Sequence, residues 1–151
     1  MVGVTGWFTA SGGTTGGAFN AVAPARICDT RAPETGSSSD VAKGVSGICE
    51  SSGTALGAGG TAAVQVAGLA GVPVGAAAVV LSVTAVDTTA ASYVSIYPAG
   101  VARPTVSNLN WAAGEATSNL VVVPLPATGN IEVFNHMGTT DLVIDVEGWY
   151  S

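Results

Sequence analysis

Residues 77–86 read Ala-Ala-Val-Val-Leu-Ser-Val-Thr-Ala-Val, a long run rich in β-branched side chains. From Leu81 to Val86 the apolar residues Leu81, Val83 and Ala85 alternate with Ser82, Thr84 and Val86. A period of two residues is typical of a β-strand with one buried face. No segment of ten or more residues in the chain shows the capped periodicity of a helix. The run therefore predicts a β-strand in an all-β protein.

Shorter strand signals recur on both sides of this run, and turn signals such as Pro-Ala-Gly and Ala-Thr-Gly separate them. Tyr93 and Tyr97 share one face of the strand that contains them. Short strands at such regular spacing predict an antiparallel β-sandwich, with jelly-roll-like and immunoglobulin-like topologies both open. The further predicted strands span residues 61–66, 93–97, 105–110, 119–124, 130–135 and 142–147.

The composition indicates a secreted or cell-surface protein. Of the 151 residues, 48% are hydrophobic and only 9% are charged, against about 25% charged in typical soluble domains. The net charge is −6, and the basic residues are Arg26, Arg31, Lys43 and Arg103. They are too few for a basic patch, which excludes nucleic acid and anionic membranes as partners. The apolar run 74–86 is too short to cross a bilayer, so we expect no membrane insertion.

Cys28 and Cys49 flank the most polar stretch of the chain. Zinc would need further ligands, and the single histidine, His136, is distant in sequence. A disulfide closing this loop would stabilise a secreted protein by about 3 kcal/mol. Two buried free thiols are the alternative. We expect no metal and no cofactor.

The two ends of the chain repeat one pattern. Val2-Gly3-Val4-Thr5-Gly6-Trp7-Phe8-Thr9 and Ile144-Asp145-Val146-Glu147-Gly148-Trp149-Tyr150-Ser151 both read aliphatic-x-Val-x-Gly-Trp-aromatic-hydroxyl. This predicts a tandem array, in which residues 1–9 are the terminal strand of a preceding repeat. Residues 10–17 are then a linker of small residues, and residues 18–151 form the sandwich module. Two unrelated strands that share a Gly-Trp pair are the alternative.

A leading strand without its parent domain needs a sheet edge to pair with. It could pair with the module's own last strand or with a neighbouring molecule, so a homo-oligomer formed through the N-terminal strand is possible. The residues assigned to this assembly strand are Val2, Val4, Trp7 and Phe8.

Catalytic constellations are lacking in the sequence. The chain has no Gly-x-Ser-x-Gly elbow, and His136 lies in a predicted surface turn between two strands. Asp145 and Glu147 share one face of a strand, where solvated or salt-bridged carboxylates are expected rather than a glycosidase pair. The protein is therefore predicted not to be an enzyme.

Four charged residues are predicted to be structural. Asp29 and Arg31 lie on one face at i, i+2 and can lock the start of the polar loop by hydrogen bonds. Arg26 is predicted to pair with Asp145 or with another acidic residue on a strand.

The remaining candidate site is aromatic. Trp111, Tyr97, Asn108, Asn110 and Arg103 could form a sugar-binding patch, in which aromatic faces are flanked by hydrogen-bonding groups. The alternative is core filling, because in a domain rich in Gly and Ala each large aromatic side chain carries much of the packing.

Pro24-Ala25-Arg26-Ile27-Cys28-Asp29-Thr30-Arg31 opens a series of ordered sequence blocks. Over about residues 20–151 the chain resembles a widespread, largely uncharacterised domain of secreted and surface proteins in actinobacteria and other soil bacteria. The resemblance implies a secreted accessory module that occurs in tandem, and it transfers no catalytic residue and no ligand. This chain departs from the family at Cys28, where an aliphatic residue is common. The other blocks include Gly71-Val72-Pro73, Tyr97-Pro98-Ala99-Gly100, Arg103-Pro104, Ser107-Asn108-Leu109-Asn110 and Val122-Val123-Pro124.

Together these features predict a non-catalytic extracellular module that binds a cell-wall or environmental polysaccharide. The alternative is a structural spacer, or a strand-exchanging repeat of a surface fibre or adhesin whose partners are neighbouring copies of the module.

Overall fold

A computed structural model describes residues 17–32, 49 and 52–151. Within these residues no helix forms, which confirms the all-β prediction. The strands are β1 (Phe19–Asp29), β2 (Thr61–Gln65), β3 (Ala78–Val86), β4 (Ser92–Pro98), β5 (Leu109–Trp111), β6 (Thr117–Pro124), β7 (Asn130–Asn135) and β8 (Asp141–Tyr150).

The strands form two antiparallel four-stranded sheets that pack as a sandwich, as predicted. The first sheet has the order β1-β8-β3-β6 and the second has the order β2-β7-β4-β5. Every connection except the one between β4 and β5 therefore crosses from one sheet to the other. This order is that of a jelly roll, one of the two topologies that the sequence left open.

The core lies between the sheets and is built by alternation along the strands. In β3 every second side chain points inward, and the same holds in β8 up to Val146. The intervening side chains face outward, as the period of residues 81–86 predicts. The inward residues of these two strands are Val79, Leu81, Val83, Ala85, Leu142, Ile144 and Val146.

Two segments differ from the sequence prediction. The predicted strand 105–110 is reduced to β5, because the side chain of Asn108 and a backbone carbonyl of the preceding loop bond to β4 in place of a ladder. The sequence indicates a strand containing Arg26-Ile27-Cys28, and β1 extends it back to Phe19, through Pro24. β1 is an edge strand with a bulge between Ala21 and Ala25, a position where a missing N–H is tolerated.

The chain enters and leaves the sandwich at the same end. Phe19 pairs with Tyr150, and the Ser151 N–H donates to the Ala18 carbonyl at 3.2 Å. We call this the terminal end. The connections β3–β4, β5–β6 and β7–β8 meet at the opposite, distal end, where the Thr89 N–H donates to the Thr139 carbonyl at 3.0 Å.

Cys28 and Cys49 form the predicted disulfide, and both are buried. No helix in the described part of the chain is long and apolar enough to cross a membrane. The predicted preceding strand, with Val2, Val4, Trp7 and Phe8, lies outside the described residues, as does nearly all of the predicted linker. Because β8 already lies between β1 and β3, the module's own last strand offers this segment no free edge.

Candidate functional site

Asp29 is the centre of a charged cluster at the end of β1. Its carboxylate accepts hydrogen bonds from Arg31 Nε at 2.9 Å, Arg31 Nη2 at 2.7 Å and the Arg31 backbone N–H at 3.1 Å. Burial alone raises the pKa of Asp29, but the hydrogen bonds and charge of Arg31, together with the charge of Arg26, hold it below its ordinary value. Asp29 and Arg31 thus lock the start of the loop, as their spacing predicts.

Arg26 joins this cluster to β8. Its Nε donates to Asp145 Oδ1 at 3.0 Å, so Asp145 is the strand acid that pairs with it among those the sequence left open. Its Nη1 lies 3.4 Å from Asp29 Oδ2. The neighbouring Thr30, which the sequence did not single out, is fully buried. Its hydroxyl donates to Asp141 Oδ1 at 2.6 Å and accepts from the Leu142 N–H at 2.9 Å. These contacts hold the end of β1 to β8.

Trp111 is a core residue, so it does not belong to an exposed sugar-binding patch. Only 6% of its surface is exposed, and its indole N–H donates to the Ala90 carbonyl at 3.0 Å. Asn108 also has a structural role. Its Oδ1 accepts from the Ile96 N–H at 2.7 Å, and its carbonyl accepts from Asn119 Nδ2 at 2.7 Å. Core filling therefore describes Trp111, and Asn108 anchors the loop before β5.

The other three predicted residues lie on the outer face of the second sheet. Asn110 is exposed and stands opposite Tyr93 in the β4–β5 register. Tyr97 is 5% exposed, opposite Glu132 of β7. Burial raises the pKa of Tyr97, as do the hydrogen bond and charge of Glu132, against the smaller effects of Thr61 and Arg103.

Two rings on this face stack on each other. The Tyr93 and His136 rings are 4.8 Å apart between centroids, with 24° between their planes. The His136 N–H donates to the Tyr93 carbonyl at 3.1 Å, which places the two residues side by side across β4 and β7. Asn110, Tyr93 and His136 therefore form one row across the sheet at the distal end. We call it the distal row.

Phe134 and Arg103 back the distal row. The Phe134 ring is 6.5 Å from both the Tyr93 and the His136 ring centroids. The Arg103 guanidinium carbon lies 3.9 Å from the centroid of Phe134, a cation–π contact. The loop that carries Arg103 thus covers Phe134 and leaves His136 exposed.

The buried Asn135 and the half-buried Ser92 fix the backbone beside the row. The Met137 N–H donates to Ser92 Oγ at 2.8 Å, and Ser92 Oγ donates to Asn135 Oδ1 at 3.0 Å. Asn135 Nδ2 in turn donates to the carbonyls of Gly138 and Leu56 at 3.0 and 2.9 Å. The turn on which His136 lies is therefore held from both sides.

Sequence reasoning identified His136 as a surface residue but missed its place beside Tyr93. The spacing of Tyr93 and Tyr97 predicts that they share one face of a strand. The contact of Tyr93 with His136 was missed because no feature of the sequence indicates that β4 pairs with β7. Within residues 17–32, 49 and 52–151, no group of three or more His, Cys, Asp or Glu side chains could hold a metal ion.

No protein-family model matches the chain, and no curated protein matches it either. The resemblance to the secreted tandem domain stays a prediction. The function is therefore argued from the geometry of the distal row.

Proposed function

We propose that the chain is a non-catalytic extracellular module that binds a polysaccharide through the distal row. The observation that carries this proposal is the stacked pair of Tyr93 and His136 on an outer sheet face, with the exposed amide of Asn110 in the same row. Binding sites for small ligands combine aromatic surface with a few placed polar groups. A sugar ring, apolar on its faces and polar at its edge, matches that combination.

The rigidity of the site supports binding. Hydrogen bonds from Met137 to Ser92 and from Asn135 to Gly138 fix the backbone on both sides of His136. A backbone that is ordered before the ligand arrives loses less conformational freedom on binding. The row therefore suits a ligand that offers only a few contacts per sugar unit.

The charges favour an uncharged polymer. Arg103 packs on the Phe134 ring, and Glu132 interacts with Tyr97, so this face carries one full charge of each sign from these residues. The chain as a whole has a net charge of −6, which repels polyanions. A neutral glycan is not repelled by the net charge of the protein, and it needs no oppositely charged group on this face.

The positions of the ends favour a binding module over a load-bearing spacer. Because Ala18 bonds to Ser151, tension applied through these two residues would peel β1 from β8 one hydrogen bond after another. A module tethered at its terminal end instead presents the distal row away from the tether. The disulfide between Cys28 and Cys49 is consistent with an extracellular location.

The test is retention on insoluble peptidoglycan, chitin and cellulose. The wild type should be retained on at least one of them, and His136→Ala should reduce retention about tenfold, since losing one stacking face is worth about 1–1.5 kcal/mol. Leu120→Ala is the matched control, because Leu120 is 61% exposed on the opposite sheet. Trp111→Ala is unsuitable, since it removes a core residue.

Absence of wild-type retention on all three polymers would reject the proposal. Equal loss in His136→Ala and Leu120→Ala would show that retention is non-specific and does not use the distal row.

A further inference from the structure

Two exposed apolar side chains, Phe19 and Val74, lie at the terminal end beside the half-buried Tyr150. Phe19 is 49% exposed, and its ring lies 5.3 Å from that of Tyr150. Val74 is 81% exposed in the turn just before β3. That turn is attached to the end of β8, because the Ala77 N–H donates to the Tyr150 carbonyl at 2.8 Å. We call Phe19, Val74 and Tyr150 the terminal patch.

The terminal patch depends on the Gly-Trp-aromatic motif that the chain ends share. A Cβ atom added to Gly148 would come within 2.4 Å of the Phe19 ring, so only glycine lets Phe19 lie against β8. Tyr150, two residues later, supplies the neighbouring ring. In the leading copy of the motif, Gly6 and Phe8 stand at the positions of Gly148 and Tyr150. In a preceding module, Phe8 would therefore be the counterpart of Tyr150 and Gly6 the counterpart of Gly148.

The link between successive modules is short. Thr9 aligns with Ser151, and only residues 10–18 separate it from Phe19, the start of β1. Nine residues span at most about 32 Å when fully extended. Since the chain enters and leaves each module at its terminal end, the terminal ends of successive modules must lie within that reach of each other.

We infer that the terminal patch is the contact surface between successive copies of this module. The partner is a second copy, because the linker brings the same end of the neighbour to this patch and the shared motif gives that end an aromatic residue at the position of Tyr150. Such a contact is isologous, with the same surface used on both sides, so it joins two successive copies as a pair. This inference rests on the tandem repeat and is independent of polysaccharide binding.

The contact can be weak and still be populated in an array. A short flexible linker gives its two ends an effective concentration in the millimolar range. A dissociation constant of about 1 mM between free modules would then suffice. The isolated chain should therefore self-associate only at high concentration.

The test is sedimentation equilibrium of the full chain at concentrations up to about 1 mM. Wild type should show weak association, and Val74→Asp should weaken it at least about tenfold by burying a charge in the contact. Met137→Asp is the matched control, since Met137 is 53% exposed at the distal end and the charge change is the same. That control should associate as the wild type does.

Three outcomes would overturn the inference. The first is a wild-type chain that stays monomeric throughout. The second is equal weakening by Met137→Asp, which would reflect net charge alone. The third is association that survives Val74→Asp but disappears when residues 1–9 are deleted, which would assign the contact to the leading segment.

Discussion

The two ends of the sandwich are held together by different chemistry. At the terminal end, backbone groups bond to backbone groups, as between the Leu125 N–H and the Ala77 carbonyl at 2.9 Å. The side-chain bonds there are exposed where they join β1 to β8, as between the Ala18 N–H and Ser151 Oγ at 3.0 Å. At the distal end, buried side chains also bond to backbone carbonyls. Thr88 Oγ1 donates to the Glu115 carbonyl at 2.8 Å, and Thr140 Oγ1 donates to the Val86 carbonyl at 3.1 Å.

This difference has consequences for stability and for function. A backbone hydrogen bond survives most substitutions, whereas a buried side-chain bond is lost with its residue and leaves an unsatisfied partner. The distal end should therefore be the end that is sensitive to mutation. It is also the end that carries the distal row, whose rings need a fixed backbone.

The largest effect is expected at two of the three tryptophans, Trp111 near the distal end and Trp149 near the terminal end. Trp111→Ala should lower the free energy of unfolding by about 4 kcal/mol, because it empties a buried site and removes the bond to Ala90. Trp149→Ala near the terminal end should cost about 2 kcal/mol, since Trp149 is only partly buried. Urea denaturation measures both. Equal losses would contradict the asymmetry between the ends.

A smaller effect is expected at two asparagines of β7. Asn135→Ala should cost about 3 kcal/mol, because the buried amide satisfies the carbonyls of Leu56 and Gly138 and accepts from Ser92. Asn130→Ala is the same substitution at the terminal end of that strand, where the half-buried side chain should contribute less than about 1 kcal/mol. Thermal unfolding of both variants tests this. A costly Asn130→Ala would mean that buried polar groups matter equally at both ends.

The sequence predicted the strands themselves better than it predicted which strands lie next to each other in the sheets. Alternation in residues 81–86 and 130–135 identified β3 and β7, because one face of each strand is buried. The same rule was available for Trp111, which stands two residues after the buried Leu109 and so shares its face. The prediction that Trp111 belongs to a sugar-binding patch did not take that spacing into account.

The distal row could not be predicted in the same way. Tyr93 and His136 meet only because β4 pairs with β7, two strands that are separated by β5, β6 and their connections. Strand order in a sandwich depends on how whole sheets bury their faces, and local periodicity does not encode it. The Arg26–Asp145 pair was easier to find, because so few charged residues are available as partners in this chain.

A third prediction concerns pH and the Asp29 cluster at the distal end of β1. The pKa of Asp29 is lowered by folding, so its carboxylate stabilises the protein above the ordinary pKa of about 3.9 and loses this contribution as pH falls through the folded-state value. Asp29→Asn should cost about 1–2 kcal/mol at pH 7, and the difference from wild type should shrink below pH 4. Melting temperatures from pH 2 to pH 7 measure this. A difference that stays constant over that range would show that the charge of Asp29 does not stabilise the fold.

The smallest effect is expected for the exposed apolar side chains. Val74→Ser at the terminal end and Met137→Ser at the distal end should each change the free energy of unfolding by less than about 0.5 kcal/mol, because both side chains are mostly solvated in the monomer. Urea denaturation at low protein concentration, where self-association is absent, isolates this effect. If Val74→Ser were clearly destabilising under those conditions, Val74 would contribute to the stability of the monomer. If Val74→Ser leaves the free energy of unfolding unchanged and abolishes self-association, Val74 acts in the contact between copies and not in the folding of the monomer.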